Sequence, residues 1–126
     1  MIGVVIVANG NMACELLACL IQIVGEQPGI TAVSLSGEYN REQKQEEICR
    51  AVARVDEGNG VVVVTDLYGS SPANLAMKAC GPPDRVILAG ANLPMLVKLV
   101  KSRRADLQVA ASRAAESGRK YVQIFD

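Results

Sequence analysis

Val61-Val62-Val63-Val64-Thr65-Asp66-Leu67-Tyr68-Gly69-Ser70-Ser71-Pro72 is the stretch that decides the fold. Its first five residues are all β-branched, an unbroken apolar run without polar alternation. Such a run marks a strand covered on both faces, as in a parallel sheet with helices above and below. Asp66 to Ser71 then reads as a turn. Pro72 suits a first helical residue, because its missing N–H would be unpaired there anyway, and Ser71 before it is the expected N-cap. Strand, turn and helix in this order form the repeating step of an α/β sheet.

The same step recurs on both sides. Ile2 to Ala8 is another short apolar run, broken by Asn9-Gly10-Asn11. Residues 12–25 carry Leu16, Leu17, Leu20 and Val24 at helical spacing, with Gly25 as the expected stop. Gln27-Pro28-Gly29 is a turn, and Ile30 to Ser36 reads as a second strand. Residues 41–56 place Ile48, Ala51, Val52 and Val55 on one face of an amphipathic helix. Beyond the deciding stretch, a helix to about Cys80 meets Gly81-Pro82-Pro83, followed by a strand over Arg85–Ala89. Helices are predicted near 94–103 and near 105–117, the second ending at Gly118, and Tyr121–Phe125 reads as a short last strand. The expectation is one domain over residues 1–126. It is an open, doubly wound sheet of four parallel strands with helices on both faces and a short antiparallel C-terminal edge strand.

Composition narrows the function. Thirteen basic and thirteen acidic residues give zero formal charge, so electrostatic capture of nucleic acid or of an acidic membrane is not expected. No apolar run approaches the roughly 20 residues that span a bilayer. The opening Met1-Ile2-Gly3-Val4 has no basic n-region, so no secretory signal is expected. Cys14, Cys19, Cys49 and Cys80 match no zinc or redox spacing, and the chain contains no His. They are read as reduced cysteines acting as small hydrophobes, with no metal site and no cofactor, in a cytoplasmic protein. Lys98, Lys101, Arg103 and Arg104 are read as a solvated helix face, and Met12, Met77 and Met95 as core or near-core filling.

In parallel sheets, ligands bind beyond the carboxyl ends of the strands where strand order reverses. Asn9 follows the first strand and Asp66 the third, so the two meet across that crevice if their strands are neighbours. Two helix N-termini open into the same place and offer backbone N–H groups to an anion. Gly10 and Gly69 let the backbone come close, and Ser70 and Ser71 add hydroxyl donors. A phosphoryl group fits this donor set. Phosphorylation of Asp66 itself, as in a receiver domain, would need Mg²⁺ held by further carboxylates, and Asn9-Gly10-Asn11 supplies none.

Three segments carry a family resemblance: Val5-Ile6-Val7-Ala8-Asn9-Gly10, Thr65 to Asn74, and Gly90-Ala91-Asn92-Leu93-Pro94-Met95-Leu96. Together, and along essentially the whole chain, they resemble the mannose-family IIA components of the bacterial phosphoenolpyruvate-dependent sugar phosphotransferase system. The resemblance implies a homodimeric phosphocarrier that exchanges its C-terminal strand. It takes phosphate from the carrier HPr onto a His at the end of the first strand and passes it to a IIB partner. It further implies that Asp66 orients that His and that Ser71 helps hold the phosphoryl group. Two positions depart from the family: Asn9 stands at the phosphoacceptor, and Ser70 where Gly is usual. An amide nitrogen, its lone pair delocalised into the carbonyl, is not nucleophilic as imidazole is. Asn9 can donate a hydrogen bond to Asp66 but is not expected to carry phosphate. A non-catalytic binding or regulatory module on the same fold is the second expectation. An unrelated dinucleotide-binding domain would need a Gly-rich fingerprint that Asn9-Gly10-Asn11-Met12-Ala13 does not supply.

Overall fold

The apolar runs form four strands, β1 (Gly3–Asn9), β2 (Ile30–Leu35), β3 (Val61–Thr65) and β4 (Arg85–Ala89). Between and after them lie five helices: α1 (Met12–Val24), α2 (Arg41–Val55), α3 (Ser71–Ala79), α4 (Leu93–Lys101) and α5 (Leu107–Lys120). These elements belong to a computed structural model that describes residues 1–79 and 84–126, so Cys80 and the expected stop at Gly81-Pro82-Pro83 lie outside the described residues.

The strands pair in the order β2-β1-β3-β4, every pair parallel. The order reverses between β1 and β3, which places α1 on one face of the sheet and α2 and α3 on the other. Val4, Ile6 and Ala8 of β1 and Val62 and Val64 of β3 pack against α1, α4 and α5 through Leu20, Leu96, Leu99 and Ala114. Val5, Val7, Val61 and Val63 face the other way and pack against α2 and α3 through Ile48, Val52, Leu75 and Ala76. Full burial of each such Val, Leu or Ile stabilises by about 1.5–3 kcal/mol. The unbroken apolar runs of β1 and β3 are thus explained by two dry faces rather than one.

The C-terminal segment departs from expectation. α5 runs through the predicted stop at Gly118 to Lys120, and residues 122–126 form no strand. Gly118 is instead where α4 and α5 cross closely: a Cβ there would lie 3.2 Å from the Met95 Cβ. Asn92 fastens the crossing, its Oδ1 accepting from the Met95 N–H at 3.0 Å and its Nδ2 donating to the Gly118 carbonyl at 3.1 Å. A strand needs a neighbouring ladder to satisfy its backbone. Val122, Ile124 and Phe125 lie exposed, and among the described residues no strand pairs with them.

Side-chain roles differ from the composition-based reading in three places. Arg103 is not part of a solvated face. It is buried, with Nε donating to the Ile2 carbonyl at 2.7 Å and Nη2 to the Gly29 carbonyl at 3.3 Å. Lys98, Lys101 and Arg104 are exposed. Met95 is buried, but Met12 is exposed at the start of α1, and Met77 is exposed because Leu75 and Ala76 take the inward face of α3. Cys14, Cys19 and Cys49 are exposed rather than core-filling.

Arg103 ties the loops before β1 and β2 to the end of α4, and its loss takes the guanidinium donor from the buried Ile2 carbonyl, while the Gly29 carbonyl keeps the Val4 N–H at 3.0 Å. Arg103→Ala is expected to lower the unfolding free energy by about 3 kcal/mol. Arg104→Ala is expected to leave the urea midpoint unchanged, and urea denaturation of both variants checks the contrast.

Candidate functional site

β1 and β3 are hydrogen-bonded neighbours with Val7 opposite Thr65, so their carboxyl ends deliver Asn9 and Asp66 to one point. Gly10, at φ 59°, turns the chain off β1, and its N–H bonds the Leu35 carbonyl at 3.0 Å. Gly69 has φ 80° in the turn before α3. Both conformations are left-handed and favour Gly for its missing Cβ. A Cβ at either would meet nothing within 4 Å, so backbone conformation rather than crowding is what requires Gly there.

Asp66 is the centre of the site and is only 8% exposed. A carboxylate withdrawn from water in this way needs donors. Its Oδ2 accepts from the Asn9 N–H at 3.1 Å and from Asn9 Nδ2 at 3.2 Å. Its Oδ1 accepts from the Leu67 N–H at 2.8 Å and from Ser70 Oγ at 2.7 Å. The amide of Asn9 must therefore point its NH₂ at Asp66, since a carboxylate only accepts. Burial pushes the Asp66 carboxyl up, but the Ser70 hydroxyl and the N–H groups of Asn9 and Leu67 outweigh it and hold the group below the usual carboxylate range.

Asn9, Asp66 and Ser70 are thus brought into contact, with Gly10 and Gly69 shaping the two turns. Ser71 is exposed at the start of α3 but is not its cap. That part falls to Ser70, whose Oγ accepts from the Ala73 N–H at 3.2 Å while its carbonyl accepts from the Asn74 N–H at 2.9 Å. The helix begins one residue earlier than Pro72 suggests, and Pro72 takes its second position, where a missing N–H is equally harmless. Across the crevice, Asn11 makes no side-chain cap to α1, so the first turn of that helix keeps its N–H groups free of side-chain capping. The Leu67 N–H could not be anticipated, because backbone donors carry no side-chain signature. Among the described residues no group of three His, Cys, Asp or Glu side chains is placed to hold a metal ion.

An open groove of about 940 Å³ adjoins the site at Gly69 and runs along β4, lined by Asn74, Met77, Ile87, Asn92 and Met95 among others. Asn9, Asp66 and Ser71 do not line it. Its floor is the outer side of the edge strand, whose residues are all only partly buried.

The fold and site define a doubly wound α/β domain with one buried, fully hydrogen-bonded carboxylate at the switch point of its sheet. Residues 3–116 match the family model EIIA-man, described as the PTS system fructose IIA component, and the chain belongs to that family. It is 30% identical over 125 residues to the PTS system mannose-specific EIIAB component of Escherichia coli K12, covering 97% of this chain and 39% of that protein. Against the PTS system fructose-specific EIIA component of Bacillus subtilis 168 it is 28% identical over 104 residues, 82% of this chain and 71% of the relative. Among solved structures, the EIIA component from Streptococcus agalactiae superposes with TM-score 0.88 at 25% identity, covering 99% of this chain and 98% of that one. The mannose/sorbose-specific IIA subunit from Enterococcus faecalis gives TM-score 0.88 at 29% identity over 99% and 95% of the two chains. The chain spans 39% of the length of the first of these relatives, the Escherichia coli protein.

The lowered pKa of Asp66 has a consequence for stability. Its folded value lies below the unfolded one, so its contribution is complete above the ordinary value of 3.8 and is lost as pH falls through the folded value. Asp66→Asn is therefore expected to destabilise the protein at pH 7. The gap in urea midpoint between it and the unaltered chain is expected to close progressively below pH 3.8.

Proposed function

We propose that this chain is a single IIA domain of the sugar phosphotransferase system, built to dock HPr and a IIB partner in the cytoplasm, with Asn9 at the position of the phosphoacceptor. The observation that carries this reading is the 3.2 Å contact from Asn9 Nδ2 to Asp66, at the switch point between β1 and β3. In a relay of this type an imidazole at position 9 would donate one ring N–H to Asp66. That would leave the other nitrogen as the nucleophile and later as the leaving group. The first turns of α1 and α3 and the Ser71 hydroxyl would stabilise the transferring phosphoryl oxygens. Asn9 reproduces the donor half of that arrangement and lacks the nucleophile. The chain is accordingly a phosphotransferase by lineage that does not carry phosphate at Asn9.

The absence of any His in the chain favours a second reading, a regulatory or binding module that keeps the crevice and its partners without transfer. One experiment separates the two: labelling from phosphoenolpyruvate through enzyme I and HPr, on the unaltered protein and on Asn9→His. The phosphocarrier reading expects label on Asn9→His alone. Label on neither favours the binding module, and label on the unaltered chain overturns the assignment of Asn9.

The same reading includes a homodimer. Among the described residues β4 has an open outer edge, and the exposed Val122, Ile124 and Phe125 form an apolar tail that pairs with no strand. Exchanged between copies, each tail would add antiparallel to the partner's β4 and fill the adjoining groove. The unaltered protein is expected to elute as a dimer in light-scattering chromatography, and removal of residues 121–126 is expected to leave monomer.

A further inference from the structure

The carboxylate of Asp66 divides its work between its two oxygens. Oδ2 faces residue 9 alone, through the Asn9 N–H and Nδ2. Oδ1 is held from the opposite side by the Leu67 N–H and by Ser70 Oγ, whose bond at 2.7 Å is the shortest at the group. Ser70 is itself immobilised, because its Oγ also accepts from the Ala73 N–H in the first turn of α3. A hydroxyl has one proton to give. With the Ala73 N–H on a lone pair of Ser70, that proton is directed to Oδ1. The influences on Asp66 are burial, this hydroxyl and neighbouring backbone N–H groups, with no charged side chain among them.

We infer that Ser70 is a positioning residue for the site: its hydroxyl anchors Oδ1 of Asp66 and so fixes Oδ2 as the acceptor presented to the side chain at position 9. The Leu67 N–H cannot do this alone, since it belongs to the next residue and moves with Asp66. Ser70 lies four residues on and is tied to a helix, which makes it the donor that refers Oδ1 to the rest of the fold, as the Asn9 N–H of β1 does for Oδ2. It also selects what position 9 accommodates. A carboxylate kept ionised and aimed at residue 9 accepts a donor there and repels a second acid. The inference deepens the proposed function by naming what orients its carboxylate, but its test does not depend on phosphate transfer.

The test uses the full chain with residue 9 unaltered. Ser70→Gly removes the hydroxyl while keeping an acceptable N-cap, and Ser70→Thr restores the hydroxyl. Two quantities are read by NMR: the titration midpoint of the Asp66 carboxyl carbon, and the solvent exchange of the Asn9 side-chain NH₂. In Ser70→Gly the midpoint is expected to rise by about one pH unit, because a hydrogen bond to the ionised form is lost. Exchange of the Asn9 amide is expected to accelerate about tenfold, since Oδ2 is no longer held against it. Both are expected to return in Ser70→Thr. A folded Ser70→Gly in which either quantity stays at its unaltered value overturns the inference. Failure of Asn9→His to take label would strike the proposed relay and leave this result standing.

Discussion

The parallel pairing of β1 with β3 is the contact on which the rest of the molecule depends. Val4, Val5, Ile6 and Val7 pair with Val62, Val63, Val64 and Thr65, and all eight are almost wholly excluded from solvent. Because neither strand has a wet face, the register is set by two cores at once, and a slip of one residue would exchange the contents of both. That double constraint fixes where the strands end. Asn9 is the last residue of β1 and Asp66 the first past β3, so their meeting follows from hydrophobic packing several residues away. Thr65 extends the linkage by accepting from the N–H groups of Gly90 and Ala91 at 3.0 and 2.9 Å, which fastens the end of β4 to the same point.

A buried carboxylate at such a junction is costly unless its lone pairs are filled. Asp66 fills four of them, with donors from β1, from its own turn and from the start of α3. The outcome is a group held ionised despite burial, with its geometry set by three separate elements. The same bonds that satisfy Asp66 close the β3–α3 turn, so structural and chemical roles coincide in one side chain.

Much of this was legible in the sequence, for reasons that can be named. The β-branched runs could only be strands with two covered faces, and the boundaries of β3 and β4 fall where those runs begin and end. The meeting of Asn9 and Asp66 was legible on the condition that their strands are neighbours, which the pairing of β1 with β3 meets. What was not legible depended on three-dimensional neighbours. Ser70 and Ser71 are both good caps by type, and the choice between them was made by Asp66, which draws the hydroxyl of Ser70. Gly118 looks like a helix stop until Asn92 and Met95 are placed beside it, where its lack of a side chain becomes a packing requirement. Arg103 sits in a basic cluster that resembles any solvated face, and only the carbonyls of Ile2 and Gly29, far away in the chain, reveal its burial. Tyr121–Phe125 has the composition of a strand, but composition does not supply a ladder.

The contact between Asn9 and Asp66 also bears on the proposal that Asn9 stands at a phosphoacceptor position it cannot serve. The demand that Asp66 places on position 9 is geometric and electrostatic: a donor about 3 Å from Oδ2. Asn meets it with one N–H, as a neutral imidazole would with its own. The hydrogen-bond pattern round the carboxylate, the helix starts beside it and the two glycine turns need no further adjustment. Nucleophilicity, by contrast, resides wholly in the second nitrogen of an imidazole, which has no counterpart in an amide. The architecture of the site and its reactivity are therefore separable at a single residue. On the proposed reading, a chain of this family keeps every contact of the resting crevice without the transfer chemistry, because nothing that holds the fold together passes through the nitrogen that would do it.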